Sequence, residues 1–248
     1  MALLLNIDTA TSVASVGFSR DGVLAGMRVN DTQKEHASFL QPAIDALVRE
    51  GDISLDAIDA VAVTIGPGSY TGLRVGLASA KGIAYALGKP VVPVVTLEVM
   101  AHAAEKAWQH DVDTAQQRDA DPAAPDKENQ GRSDAGLPPL FCPMIDARRD
   151  EVFAAVYAPG GNVVMEPRAL ILSEAVFEPY ILNNLLIFSG DGSFKWKSGY
   201  LHSSARFLIV QHSVADLAVV AEKHLRGGTL EALAYLHPLY LKEFHKNS

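Results

Sequence analysis

Along the first third of the chain, short apolar runs alternate with turn signals. Leu3 to Ile7 is apolar, Val13 to Phe18 resumes after a polar break, and Ser19-Arg20-Asp21-Gly22 separates that run from Val23 to Val29. Runs of this length bounded by turn residues predict three antiparallel strands. Residues 35 to 50 then repeat apolar positions at helical spacing, Ala60 to Ile65 reads as a buried strand, and Tyr70 to Leu87 reads as a second helix. Val91 to Val95 is a strand and Leu97 to Trp108 a third helix. From Gln109 to Pro139 the pattern stops, with no large apolar residue between Val112 and Leu137. Such a segment cannot bury enough surface to offset its ordering entropy, which predicts a mobile insertion or linker.

After Pro139 the pattern begins again. "LNIDTATSVASVGFSRDGVL" and "CPMIDARRDEVFAAVYAPGGNVV" share an apolar strand ending Ile-Asp, a short polar turn, an alternating strand and a glycine-containing hairpin. "VTIGPGSY" (63 to 70) is echoed by "IFSGDGSF" (187 to 194), so both halves carry strand, Gly-x-Gly-Ser and an aromatic. A weak helix at Ser173 to Asn183 precedes the second echo; a strand at Phe207 to Val210 and a helix at Val214 to Leu225 follow it. A twice-used βββαβαβα unit with Asp ending its first strand resembles the actin and sugar-kinase superfamily (ASKHA, ribonuclease H-like). The expected architecture is therefore α/β with duplicated halves: 1–108, an insertion at 109–139, and 140–248.

Composition narrows the function classes. At 248 residues and 48% hydrophobic content, the chain can bury one large core or two small ones. A net charge of −8 argues against an isolated nucleic-acid binder, so RNA is expected to be met only indirectly, through a partner's basic surface. The single cysteine, Cys142, excludes an intrachain disulfide and fits a reducing compartment. The first residues lack a basic leader, and no apolar run reaches the roughly 20 residues that span a bilayer, which makes the cytoplasm the expected location.

Candidate chemistry is sparse. Asp8 and Asp146 end equivalent strands and, in the superfamily's arrangement, would face each other across a cleft, where carboxylates suit a hydrated magnesium ion beside a nucleotide's phosphates. The alternative is that each Asp hydrogen-bonds the backbone of its own turn. Gly66-Pro67-Gly68-Ser69 could aim backbone N–H groups at an anion, or could simply be a tight strand-to-helix turn. Gly66 and Gly68 belong neither to a P-loop, since no Gly-Lys-Ser/Thr follows, nor to a dinucleotide fingerprint, which needs a third glycine. The histidines show no His-Glu-x-x-His spacing, and no Gly-x-Ser-x-Gly nucleophile elbow occurs.

Two helices carry more apolar surface than one core needs. Taking Leu73 as zero at about 100° per residue, Arg74, Lys81 and Tyr85 fall within about 80° to 120°, and the two cations are the only charges between Tyr70 and Leu87. Gly72, Gly76, Ala80, Ala84 and Gly88 follow one another at i+4, a ridge shallow enough for another backbone to approach. On the preceding helix an arc of about 200° is mainly apolar, where a core stripe needs only about 100°. The surplus predicts a partner surface made by Phe39, Ala43 and Ala46 with Gly72, Leu73, Gly76, Ala80 and Ile83.

"NIDTATSVASVGF", "GPGSYTGLRVGLASAKGIAYAL", "IDARRDEVFAAVY" and "HPLYLKE" resemble the bacterial TsaB (YeaZ) family over nearly the whole chain except 109–139. The resemblance implies a non-catalytic accessory subunit in the synthesis of threonylcarbamoyladenosine next to the tRNA anticodon. It implies a heterodimer with the catalytic paralogue TsaD, through the two helices above, in cooperation with the ATPase TsaE and the TsaC pathway enzyme. It also implies a homodimer when alone, and no cofactor of its own beyond ATP or ADP at the junction with TsaD. TsaD-like proteins carry Val-Asn-His-x-Glu-Gly-His, whose histidines hold the metal; Thr96 and Met100 stand at those positions here. Hydroxyl and thioether are poor substitutes for imidazole at such a metal. An ATP-dependent phosphotransferase of the actin-like superfamily, using Asp8 and Asp146, is the alternative.

Overall fold

A computed structural model describes residues 1–32, 35–119, 136–197 and 202–242. Glu243 of the C-terminal motif lies outside them. The chain divides into two compact units, one comprising 1–99 with 212–248 and the other 100–211.

In the first unit, β1 (Leu3–Asp8), β2 (Ala14–Arg20) and β3 (Val23–Asn30) form the expected antiparallel meander. β4 (Ala60–Gly66) and β5 (Val91–Val95) extend it in parallel, giving the order β3-β2-β1-β4-β5. β1 and β4 are buried along nearly their whole length, as expected of central strands covered on both faces. Helices α1 (His36–Gly51) and α2 (Tyr70–Leu87) bring Leu40, Ile44, Leu47, Leu77 and Ala80 against Leu5, Ile7, Phe18 and Val63. The other face, with Leu4, Ala62, Val92 and Val94, is closed by Val99 of α3 (Thr96–Asp119) and by Val214, Leu217 and Ala221 of α6 (Val214–Arg226).

The second unit repeats the sheet. Its strands are β6 (Pro139–Asp146), β7 (Glu151–Ala158), β8 (Asn162–Ile171), β9 (Leu185–Ser189) and β10 (Ala205–Leu208). Their order, β10-β9-β6-β7-β8, is that of the first sheet. The two sheets are thus duplicates, as the repeated pattern predicts. α4 (Glu174–Ile181) packs Phe177 and Ile181 on Phe188 and Leu186. After Gly190 the described residues form a 3₁₀ turn and the four-residue α5 (Phe194–Lys197), where the first unit has the 18-residue α2.

Two boundaries differ from the expectation. The segment from His212 onward packs with the first unit instead of completing the second, because the apolar face of α6 is the wall that the first sheet lacks. Gln109–Asp119, expected in the linker, continues α3. The sequence there is polar but consists largely of residues compatible with helix, and Gln109 Nε2 donates to Asp113 Oδ1 across one turn at 2.8 Å. Residues 120–135 of the expected insertion lie outside the described residues.

Candidate functional site

α2 begins where Ser69 caps it, its hydroxyl accepting from Gly72 N at 3.2 Å, and ends at Gly88 in the left-handed conformation. One side of it carries Gly72, Leu73, Gly76, Leu77, Ala80 and Ala84, all buried. The glycine ridge does admit another backbone, but that backbone is the chain's own. Thr9 Oγ1 donates to the Gly72 carbonyl at 2.7 Å, and a Cβ on Gly72 would overlap the Thr9 carbonyl oxygen. A Cβ on Gly76 would likewise collide with Thr9 Oγ1. Gly72, Leu73, Gly76 and Ala80 are therefore core residues, and so is Ala43 of α1, which corrects their assignment to a partner surface. Phe39, Ala46 and Ile83 are half-buried. Periodicity counts apolar surface correctly, but it does not say whether the chain itself or another molecule covers it.

The second side holds the two cations, and the C-terminal segment lies along it. Arg74 stacks over the Tyr70 ring at 3.8 Å, and its Nε donates to the Tyr240 hydroxyl at 3.1 Å. Tyr70 and Tyr240 stand 5.7 Å apart. Lys81 Nζ donates to the Leu236 carbonyl at 3.1 Å, and Leu239 N donates to the Ile65 carbonyl at 2.7 Å. Upstream, Glu231 bridges Val91 on the edge of the sheet. The charges of α2 thus hold a strap, a role that no sequence spacing indicated.

The third side is exposed and uncharged. Thr71, Ala78, Gly82 and Ala86 face solvent, flanked by half-buried Val75, Ser79 and Ile83. Gly82 differs from Gly72 and Gly76 in that a Cβ there would meet nothing within 4 Å. A mid-helix glycine costs about 1 kcal/mol relative to alanine, and here nothing in the described fold requires it.

The nucleotide candidates are closed by their own surroundings. Asp8, 1% exposed, pairs through Oδ2 with His212 Nε2 at 3.0 Å, while its Oδ1 accepts from Thr64 Oγ1 at 2.8 Å and Ala10 N at 3.0 Å. Burial alone would raise this carboxyl. The His212 charge, with hydrogen bonds from His212, Ala10 and Thr64, outweighs burial and holds it below its ordinary value near 3.8. An Asp–His pair supplies two members of a hydrolytic triad, but this one is sealed from substrate. Gly66, at φ 120, faces the Leu239 carbonyl oxygen, and Gly68 the Ala10 carbonyl oxygen, which also accepts from Ser69 N at 2.7 Å. Carbonyl oxygens repel a phosphate, so these residues do not fit one in this chain.

In the second unit, Asp146 accepts from Lys195 Nζ and from Arg148 N, each at 2.6 Å. The Lys195 hydrogen bond holds its carboxyl below 3.8 against slight desolvation. Arg149, Asp150, Ser173, Glu174, Lys195 and Trp196 line a cavity of about 630 Å³ beside it. Cys142 is buried, and burial pushes its thiol up. Among the described residues, no three His, Cys, Asp or Glu side chains stand together as a metal site, and no helix is long and apolar enough to cross a membrane.

Comparison with known proteins places these features. The family model described as "TsaD: tRNA N6-adenosine threonylcarbamoyltransferase" matches residues 24–113. The tRNA threonylcarbamoyladenosine biosynthesis protein TsaB of Escherichia coli is 26% identical over 251 residues, covering 96% of this chain and 94% of that protein. An uncharacterized protein of Mycobacterium tuberculosis is 39% identical over 102 residues; the match covers 40% of this chain and only 48% of the relative's own length. The solved structure of YeaZ from Pseudomonas aeruginosa superposes with a TM-score of 0.73 at 24% identity, over 97% of this chain and all of that one, and so shares its fold.

Proposed function

We propose that this chain, a relative of the TsaB proteins along nearly its whole length, is a non-catalytic subunit in tRNA threonylcarbamoyladenosine synthesis. In this reading it forms a heterodimer with the transferase TsaD, works in the cytoplasm with TsaE and with the TsaC enzyme that supplies the activated threonylcarbamoyl group, and self-associates when TsaD is absent. The observation that carries the reading is the exposed third side of α2. It is free of charge along its length and centred on Gly82, whose missing Cβ suits the close approach of a second protein. The docking residues are Thr71, Ala78, Gly82 and Ala86, with Phe39, Ala46 and Ile83 at the margin.

Thr96 and Met100, in place of the imidazoles that TsaD-like proteins carry, favour a scaffold over a second catalyst. The chain requires no cofactor; ATP or ADP, where the complex uses one, belongs at the junction with TsaD, because Asp8, Gly66 and Gly68 are already closed.

The test is co-elution with TsaD of the same organism. Ala78→Arg and Gly82→Arg each abolish it while the melting temperature of the free chain stays within a few degrees of the parent. A complex that survives both changes removes this surface from the reading. Tight ATP binding by the isolated chain, lost in Asp8→Ala, would favour the phosphotransferase alternative instead.

A further inference from the structure

Four tyrosines border the strap side of α2. Tyr85 is 81% exposed and Tyr235 80%, with Tyr70 and Tyr240 at 42% and 39%. Tyr85 follows Lys81 by one helical turn, and Tyr235 precedes Leu236, whose carbonyl Lys81 holds. Arg74, the next cation along, stacks on the Tyr70 ring and donates to the Tyr240 hydroxyl. Tyrosine and cation therefore alternate along α2 and the strap beside it, and from Tyr70 to Tyr85 the helix rises about 22 Å.

The two segments that form this strip carry few carboxylates of their own. Residues 70–89 and 229–242 carry Arg74, Lys81, Lys89 and Lys242 but only one carboxylate, Glu231, in a chain whose net charge is −8. The rings cost little conformational entropy to present, since each tyrosine has few rotatable bonds and the strap is tied to the helix at two points and to β4 at a third.

We propose that this strip binds single-stranded RNA directly, stacking unpaired bases on Tyr85 and Tyr235 while the neighbouring cations neutralise phosphates. Exposed aromatic faces interleaved with Arg and Lys are the common means of holding unpaired nucleotides. Overall acidity excludes a basic protein, but not a local strip from which carboxylates are nearly absent. The inference deepens the proposed role in tRNA modification, whose RNA this strip would steer, and it departs from the expectation that RNA is met only through a partner.

The experiment is fluorescence anisotropy of a labelled tRNA anticodon stem–loop with the full chain at low salt, run alongside TsaD co-elution. Binding weakens as salt rises. Tyr85→Ala and Tyr235→Ala each reduce affinity about tenfold, and the double variant more. Tyr85→Phe, which keeps the ring, and Phe194→Ala, which removes an exposed aromatic of the other unit, stay within about twofold of the parent. Co-elution with TsaD is retained throughout, so failure of the RNA strip is distinguishable from failure of the docking side. Absence of RNA binding by the parent chain overturns the proposal, as does unchanged binding in the double variant. Loss of co-elution with RNA binding intact would reassign the strip to a protein partner.

Discussion

The turns that follow β1 and β6 start alike and end differently. Both strands finish in Asp, and each Asp accepts from the backbone N–H two residues on, Ala10 at 3.0 Å and Arg148 at 2.6 Å. Each faces a Gly-x-Gly-Ser turn packed so closely that a side chain at its second glycine would strike the strand's last residues or the turn just after them. Gly68 meets Ala10, and a Cβ on Gly192 would come within 2.9 Å of Ile145. The motif seats one turn against another in both units, which explains its glycines without any ligand. The difference lies in the counterions and in what comes next. Asp8 is sealed with His212, whereas the Asp146 side chain is 45% exposed beside Lys195. The first turn launches an 18-residue helix, and the second, among the described residues, a single turn. The shared features are structural, and the features that differ are those to which partner and RNA binding are assigned.

Removing the two counterions tests this contrast most severely. His212→Ala leaves a buried carboxylate unpaired and lowers stability by about 3–5 kcal/mol, whereas Lys195→Met costs at most about 1 kcal/mol, both read by urea denaturation. Equal losses would mean that the two sites are not distinct. Next come two glycines of one helix with opposite signs: Gly72→Ala costs about 1–3 kcal/mol through overlap with Thr9, and Gly82→Ala raises stability by about 0.5–1 kcal/mol. The smallest effect is in pH. Because the Asp8 carboxyl is lowered in the fold, its contribution is present above about 3.8 and lost as pH falls through the folded value. His224 runs the other way. Its Nε2 lies 2.9 Å from Glu98 Oε1, and that hydrogen bond raises it above 6.5, so its contribution is full below about 6.5 and lost as pH rises through the folded value. Glu98→Gln therefore flattens the stability profile on the alkaline side and leaves the acid limb unchanged.

The strands, the duplication and the long α2 were legible because alternation, turn residues and helical spacing are local. Asp8 could be read only as two alternatives, since the group that decides between them, His212, arrives from the far end of the chain. The inward glycine ridge was legible as a close approach, but the approaching backbone, Thr9, is not written into the helix. The strap was invisible for the same reason, since the partners of Arg74 and Lys81, Tyr240 and Leu236, lie 166 and 155 residues away in the chain. The helical run from Gln109 to Asp119 is hidden by its polar composition, which lacks the apolar periodicity of a packed helix although its residues are compatible with one.

The position of α6 sets an order on synthesis. Its residues Val214, Leu217 and Ala221 close the face of the first sheet that holds Leu4, Ala62, Val92 and Val94. The strands are translated before the second unit and their cover after it. A ribosome that has finished β5 therefore presents a half-clad sheet to the cell and must make the entire second unit before the wall arrives. Messages truncated before Val214 should yield chains that chaperones and proteases recognise, even though every strand of the first sheet is present.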